Sequence, residues 1–344
     1  MSRAAAGRRH DARSTPRPPR YALAMPDATA QGPRTMQCLE VWGGNRAVDH
    51  AVNMPGLDAW VFSRPVEGDA EGGDIHYLSS CVTGRVIRLL VADVSGHGAA
   101  VADAAERLRQ LLRRYVNYVD QRRFVADLNR EFVGLARIGQ FATASVATVW
   151  TPTSDLAITS AGHPPAALYR AARGAWEFIA PPPDTAVAAS DIPLGIEDAT
   201  FGQVRVHLGR RDLTLFYTDA VTEMPTADGR LLGQAGLLDL LARLDASRPE
   251  ALIPALLGAL ADRAGGRDAV DDMTLLLVRP NEHRPRASVL SGVGTVVRIA
   301  RDVGSALVRR DRPLSLPEIN TTNVLGAFFD RANHTGRDRD EPSE

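Results

Sequence analysis

Lysine is absent from this 344-residue chain, and all 40 of its basic residues are arginine. That absence excludes lysine nucleophiles and Schiff-base chemistry. Arginine's planar fork suits bidentate phosphate binding, although the bias of a GC-rich genome explains the composition more simply. Cysteine is scarce: Cys38 and Cys81 stand alone, without metal-ligand spacing or a disulfide framework, and Cys81, beside a predicted strand, reads as neutral rather than reactive. No run approaches the ~18 consecutive apolar residues of a membrane-spanning helix. The basic N-terminus lacks the apolar segment of a secretory signal, so a cytoplasmic protein without a transmembrane segment is expected. Neither sign of charge dominates: the formal net charge of -1 gives no reason to expect a nucleic-acid partner. No nucleotide-binding loop is evident, and no sensory domain is recognisable ahead of the main apolar pattern.

Apolar residues make up 44% of the chain, enough for a sizeable core. Residues 1–36 are rich in Arg and Pro and read as a disordered tail, with order beginning near Cys38. Residues 37–280 form one folded domain. Residues 281–344 are an extension, partly helical or disordered, with an amphipathic stretch at Val289–Val308. Within the domain, short apolar runs predict strands at Val41–Gly44, Ala59–Phe62, Arg85–Asp93, Ala142–Trp150, Leu156–Ser160, Ala166–Tyr169, Trp176–Ile179, Val204–Leu208, Leu213–Thr218 and Met273–Val278. The connection between the first two reads as turn-rich. Three- and four-residue spacing predicts helices over Ala99–Val119, Arg122–Arg137, Gln234–Leu244 and Pro249–Arg263, the last with Ser247 as a candidate N-cap. Arg107, Arg109, Arg113 and Arg114 mark the solvated face of the first helix. Strands dominate the middle, and the regular alternation of a doubly wound parallel sheet is missing.

Four aspartates stand at the ends of separate apolar runs. They are Asp74 in Gly72-Gly73-Asp74, Asp93 in Asp93-Val94-Ser95-Gly96-His97-Gly98, Asp219 in Tyr217-Thr218-Asp219 and Asp271 in Asp271-Asp272-Met273-Thr274. A strand end is where a rigid scaffold delivers a side chain to a site. Four converging carboxylates repel one another unless cations neutralise them. Hard oxygen ligands suit Mg2+ or Mn2+, and four carboxylates balance two divalent ions in formal charge. The pattern therefore suggests a dinuclear metal site of the kind that activates water against phosphate esters.

These phrases, together with Phe141-Ala142-Thr143-Ala144, Ala161-Gly162-His163-Pro164, Ile192-Pro193-Leu194-Gly195 and Glu223, recur in family order from Trp60 to Pro280. They resemble the SpoIIE-like branch of the metal-dependent PPM-type serine/threonine phosphatases. The resemblance implies an α+β fold: two stacked antiparallel β-sheets flanked by helix pairs, a four-layer αββα sandwich. It implies metal-dependent hydrolysis of phosphoserine or phosphothreonine on a signalling protein by water activated between two divalent cations, Mn2+ or Mg2+. It implies that Asp93 bridges the two ions and that the Val94 carbonyl reaches one of them. Asp219 and Asp271 would hold the first ion and Asp74 would serve the second, so that Asp93, Asp219 and Asp271 carry catalysis. By family analogy the partner is a phosphorylated protein resembling an anti-sigma antagonist.

Some residues depart from the pattern. Asp272, next to Asp271, points the other way on an extended chain and reads as a turn or supporting residue. His97 stands two positions beyond the site of the histidine found in the family's eukaryotic branch, so a general-acid role is not carried over. His163 reads as a turn element. Ala220 replaces the family's usual glycine after the third aspartate, which would matter if that backbone needs positive φ. It keeps open an alternative: a catalytically weak phosphatase-fold scaffold or regulatory binding module. A two-metal hydrolase of small phosphate compounds is a third reading.

Overall fold

Period-two alternation along the strands sorts side chains onto two faces, and here both faces are covered. A computed structural model describes residues 32–66, 69–81, 83–95, 99–115, 118, 120–135, 141–180, 192–196, 199–265 and 271–283. The tail before residue 32, His97, the Pro181–Pro183 loop and the Val289–Val308 stretch lie outside these residues. In chain order the elements are β1 (Arg34–Thr35), β2 (Val41–Gly44), β3 (Val48–Met54), β4 (Leu57–Arg64), β5 (Asp74–Ser80), β6 (Val86–Val94), α1 (Ala99–Arg114) and α2 (Gln121–Leu135). They continue with β7 (Ala142–Trp150), β8 (Asp155–Ala161), β9 (Ala167–Arg170), β10 (Ala175–Phe178), β11 (Val204–His207), β12 (Leu213–Tyr217), α3 (Gly233–Ala242), α4 (Pro249–Ala264) and β13 (Met273–Pro280).

The strands form a seven-stranded sheet, β1-β3-β4-β13-β12-β9-β10, and a six-stranded sheet, β11-β8-β7-β6-β5-β2. Pairing is antiparallel except between β1 and β3. In β6, Ile87, Leu89 and Val91 enter a core that also holds Val61, Phe216 and Leu276 of the other sheet. The alternate residues Leu90 and Ala92 pack against Leu108 and Leu112 of α1 and Phe124 and Leu128 of α2. On the far side, Leu215, Leu275 and Leu277 pack against Leu237 and Leu241 of α3 and Leu256 and Leu260 of α4. The result is the expected αββα sandwich, with three apolar layers between four structural ones.

Several sequence expectations are corrected. Order begins earlier than Cys38: β1 joins the seven-stranded sheet, and Met36 is 2% exposed. The connection expected to be turn-rich contains strand β3, whose apolar residues are interrupted by Asp49, His50 and Asn53. The signal for this strand is the Pro55-Gly56 pair, a two-residue hairpin turn with Gly56 at φ 86°. Ser247 does not cap α4; Arg248 is the cap residue, and the Ser247 hydroxyl donates to Asp245 instead. Helix α1 stops at Arg114, short of Val119. Arg107 and Arg109 on its outer face are paired within the helix to Asp103 and Glu106. Strands β8 and β9, though close in sequence, do not pair; the chain crosses between sheets at Gly162–Ala166.

A charged side chain lies on the helix-covered face of β6. Arg88 of β6 points to the helix side, where its guanidinium donates to the Tyr115 carbonyl (3.1 Å) and the Tyr118 carbonyl (2.7 Å). It lies 4.0 Å over the Phe124 ring. Burial lowers its pKa to about 10, which still leaves it charged at neutral pH. The carbonyls just beyond α1 are electronegative, and a cation there is favourable. Arg88 thus fastens the end of α1 to the six-stranded sheet.

Candidate metal centre

The alternation that builds the core also builds the site. In β6 the inter-sheet series Ile87, Leu89, Val91 continues to Asp93. In β5 the series Leu78, His76 runs back to Asp74. These two aspartates are direct cross-strand partners. In the other sheet the inter-sheet residue Phe216 leads on to Thr218, and Leu276 leads back to Thr274 and Asp272. Asp219 opens a 3-10 turn, Asp219–Val221, immediately after β12. Asp271 lies just before β13. The ends of β5, β6, β12 and β13 therefore meet at one end of the sandwich, two from each sheet.

Electrostatics show the convergence. Burial and the nearby charges of Asp219, Asp271, Asp272 and Glu223 push the Asp93 carboxyl up to about 6. Asp219 is raised by burial and by Asp271, against backbone N–H groups that favour its charged form. Asp74 is 3% exposed. Burial holds its carboxyl well above the usual range, Asp93 and Asp272 add to the rise, and hydrogen bonds from Thr218 and Thr274 oppose it. Among the described residues, no three His, Cys, Asp or Glu side chains are gathered closely enough to grip one ion as they stand. The donor set nevertheless fits divalent cations in kind: oxygen ligands whose mutual repulsion a positive charge relieves.

The surroundings are tightly built. Val94 N–H donates to the Gly73 carbonyl (3.1 Å). A Cβ on Gly73 would lie 3.2 Å from the Val94 carbonyl oxygen and 3.3 Å from Asp93 Oδ1. A Cβ on Gly72 would come within 2.6 Å of Asp272 Oδ2. That carboxylate accepts from the Val66 N–H (2.6 Å) and from the Gly73 N–H. Asp272 therefore ties the loop before Asp74 to β13. Asp271 is exposed and accepts from the Asp272 N–H (2.8 Å). The neighbouring aspartates thus divide as their opposite directions require.

His163 sits at the crossover between sheets. Its Nδ1 is 2.9 Å from the hydroxyl of Thr143, the β7 partner of Asp93. Its Nε2 lies by the Tyr217 backbone without a well-formed hydrogen bond. Burial lowers its pKa to about 4, against a smaller opposing effect of that backbone. The ring is neutral at pH 7 and supports the site without supplying a proton. Ala220 is buried in the 3-10 turn, and its φ is not positive. Its methyl packs with Val221 and Met224 on the α3–α4 side, so the replacement of glycine strains nothing.

The features that sequence reasoning misses are the cross-sheet hydroxyls around Asp74. Thr218 donates to Asp74 Oδ2 (2.8 Å), and Ser63 Oγ lies 2.9 Å from Thr274 Oγ1. Their only sequence signal is parity: each occupies an inter-sheet position in line with apolar residues.

No curated protein matches the chain. Among solved structures it is similar to the RsbU and RsbW domains of Rv1364c from Mycobacterium tuberculosis, with 26% identity and a TM-score of 0.56, over 75% of this chain and 70% of that one. It is similar to the PP2C phosphatase domain and regulatory fragment of SpoIIE from Bacillus subtilis, with 17% identity and a TM-score of 0.55, over 65% of this chain and 62% of that one. It also resembles RsbX in complex with magnesium, with 14% identity and a TM-score of 0.51, over 68% of this chain and all of that one. The last two likenesses establish the PP2C-type fold. The profile described as Stage II sporulation protein E (SpoIIE) matches residues 83–281, the span that carries α1, α2, the Gly162–Ala166 crossover and three of the four aspartates. The chain belongs to the SpoIIE family and has its PP2C-type phosphatase fold.

Proposed function

We propose that this protein is a metal-dependent protein serine/threonine phosphatase of bacterial-type cytoplasmic signalling. The observation that carries the reading is the meeting of Asp74, Asp93, Asp219 and Asp271 at one end of the sandwich, where burial and then the charges of Asp219 and Asp271 raise Asp93. Asp93, central in charge among them, is the residue suited to serve two cations. Asp219 and Asp271 suit one of these, Asp74 suits the other, and the Val94 carbonyl is a further ligand. Two bound Mn2+ or Mg2+ ions would lower the pKa of water and neutralise the phosphoryl oxygens. The protein's own part is to hold the carboxylates on strand ends. His163, largely neutral near pH 7, is poorly suited to protonate the leaving seryl or threonyl oxygen.

The substrate class favoured by the family resemblance is a phosphorylated anti-sigma-antagonist-like protein. The scaffold alternative rests on Ala220, and the ordinary backbone there removes that support. The test is hydrolysis of an aryl phosphate with Mn2+, with Mg2+ and with chelator, followed by phosphoserine release from a candidate protein. Turnover that requires an added cation and vanishes on chelation is expected. Turnover indifferent to chelation, or none with either cation, would refute the reading.

A further inference from the structure

The buried hydroxyls beside Asp74 are linked, and the link through Thr218 has a direction. Thr218 and Thr274 are fully buried, and Ser63 and Asp74 are 2% and 3% exposed. Thr218 N–H donates to the Thr274 carbonyl (3.1 Å), and Thr274 N–H donates to Thr218 Oγ1 (2.9 Å). The Thr218 hydroxyl accepts from that amide, so its single proton is free to go to Asp74 Oδ2, 2.8 Å away. The Thr274 hydroxyl is near enough to favour the charged form of Asp74 and is itself 2.9 Å from Ser63 Oγ. All three hydroxyls belong to the seven-stranded sheet; Asp74 belongs to the six-stranded one.

We infer that Thr218 is a positioning residue that reaches across the sandwich to fix the Asp74 carboxylate, committing Oδ2 to the hydroxyl and leaving the other oxygen for a cation. Such outer partners set the orientation of metal ligands. The inference rests on the proposed metal-dependent reading and adds to it a residue that touches neither substrate nor ion. The hydroxyl also couples the sheets: Thr218 immediately precedes Asp219, so one short segment orients a carboxylate from each side.

The experiment is calorimetric titration of the chelator-stripped full chain with Mn2+, with unfolding measured in chelator. Thr218→Val should weaken one of the two binding events about 10–100-fold and leave the other nearly unchanged. Thr218→Ser should restore it. In an Asp74→Asn background, Thr218→Val should cause no further loss of Mn2+ affinity, although its effect on unfolding persists; a merely structural role would weaken both events in either background. If Thr218→Val does not fold, Thr218→Cys, a weaker donor, is titrated with the same expectation. If Asp74→Asn weakens one event while the Thr218 variant binds both ions like wild type, the positioning role is overturned. If Asp74→Asn itself leaves both events unchanged, the metal assignment of Asp74 fails, and the inference fails with it.

Discussion

Replacing Asp93 by asparagine should make the metal-free protein more stable while removing its metal response. The carboxyl stands at about 6 in the folded chain against an ordinary 3.8, mainly from burial and then from Asp219, Asp271, Asp272 and Glu223. A rise of about two on the pH scale corresponds to roughly 3 kcal/mol opposing folding at pH 8. The carboxylate is partly open to solvent, and screening reduces this to about 1–2 kcal/mol. For a domain of this size each kcal/mol moves the Tm by about 2–4 °C, so Asp93→Asn should melt roughly 2–8 °C higher at pH 8 in chelator. The sign follows from linkage. The folded state binds this proton more tightly than the unfolded state, so the penalty is complete above pH 6 and fades as the pH falls towards 3.8. The advantage of the variant should therefore shrink between pH 6 and pH 4. With saturating Mn2+ the order should reverse, because only the wild type gains the full binding energy. Thermal unfolding with chelator and with Mn2+ across this pH range decides the matter. A variant that melts no higher than wild type at pH 8 in chelator, or a difference that persists undiminished at pH 4, would refute the reasoning.

Two further outcomes are expected. Ala220→Gly should leave aryl phosphate turnover unchanged and lower stability by about 0.5–1 kcal/mol in denaturant unfolding, because the turn needs no positive φ and glycine adds unfolded-state entropy; a gain in turnover would show that the methyl obstructs the site. Gly72→Ala and Asp272→Asn should each lower stability by about 1–3 kcal/mol, since one displaces the carboxylate that accepts from Val66 and Gly73 and the other weakens it; equal melting of variant and wild type would show that this grip on the loop is dispensable.

Long apolar runs with clear ends are legible from residue order alone. The run Ala142–Trp150 coincides with β7 to the residue, and α1's buried stripe of Val101, Leu108 and Leu112 follows from its spacing. The aspartates stand out because each ends such a run, but their meeting depends on long-range pairing. Nothing local says that β5 lies beside β6 while β12 lies beside β13 in the opposite sheet. The β8–β9 segment resembles another hairpin because Gly162 and Pro164 are turn residues in either case; whether a turn reverses a strand or carries it to the other sheet is decided by what the strand meets there. Thr218, Thr274 and Ser63 are hidden for a different reason: a hydroxyl in a strand has no pattern of its own, and only a partner across the sandwich gives it a role.

That the four carboxylates hang in pairs from separate sheets has a mechanical consequence. Nothing along the backbone sets the gap between the pairs. Besides the cross-sheet hydrogen bonds at Asp74 and Asp272, it is set by the volumes of side chains such as Leu89, Val91, Phe216 and Leu276, which keep stacked sheets about 10 Å apart. The apolar filling therefore acts as a spacer gauge for the charged end. Trimming one of its members far from any aspartate lets the sheets settle by a fraction of an ångström, and two cations held from both sides would sense that change. On the proposed reading, substitutions in the middle of the molecule would thus retune the cation preference of the site while every carboxylate stays in place.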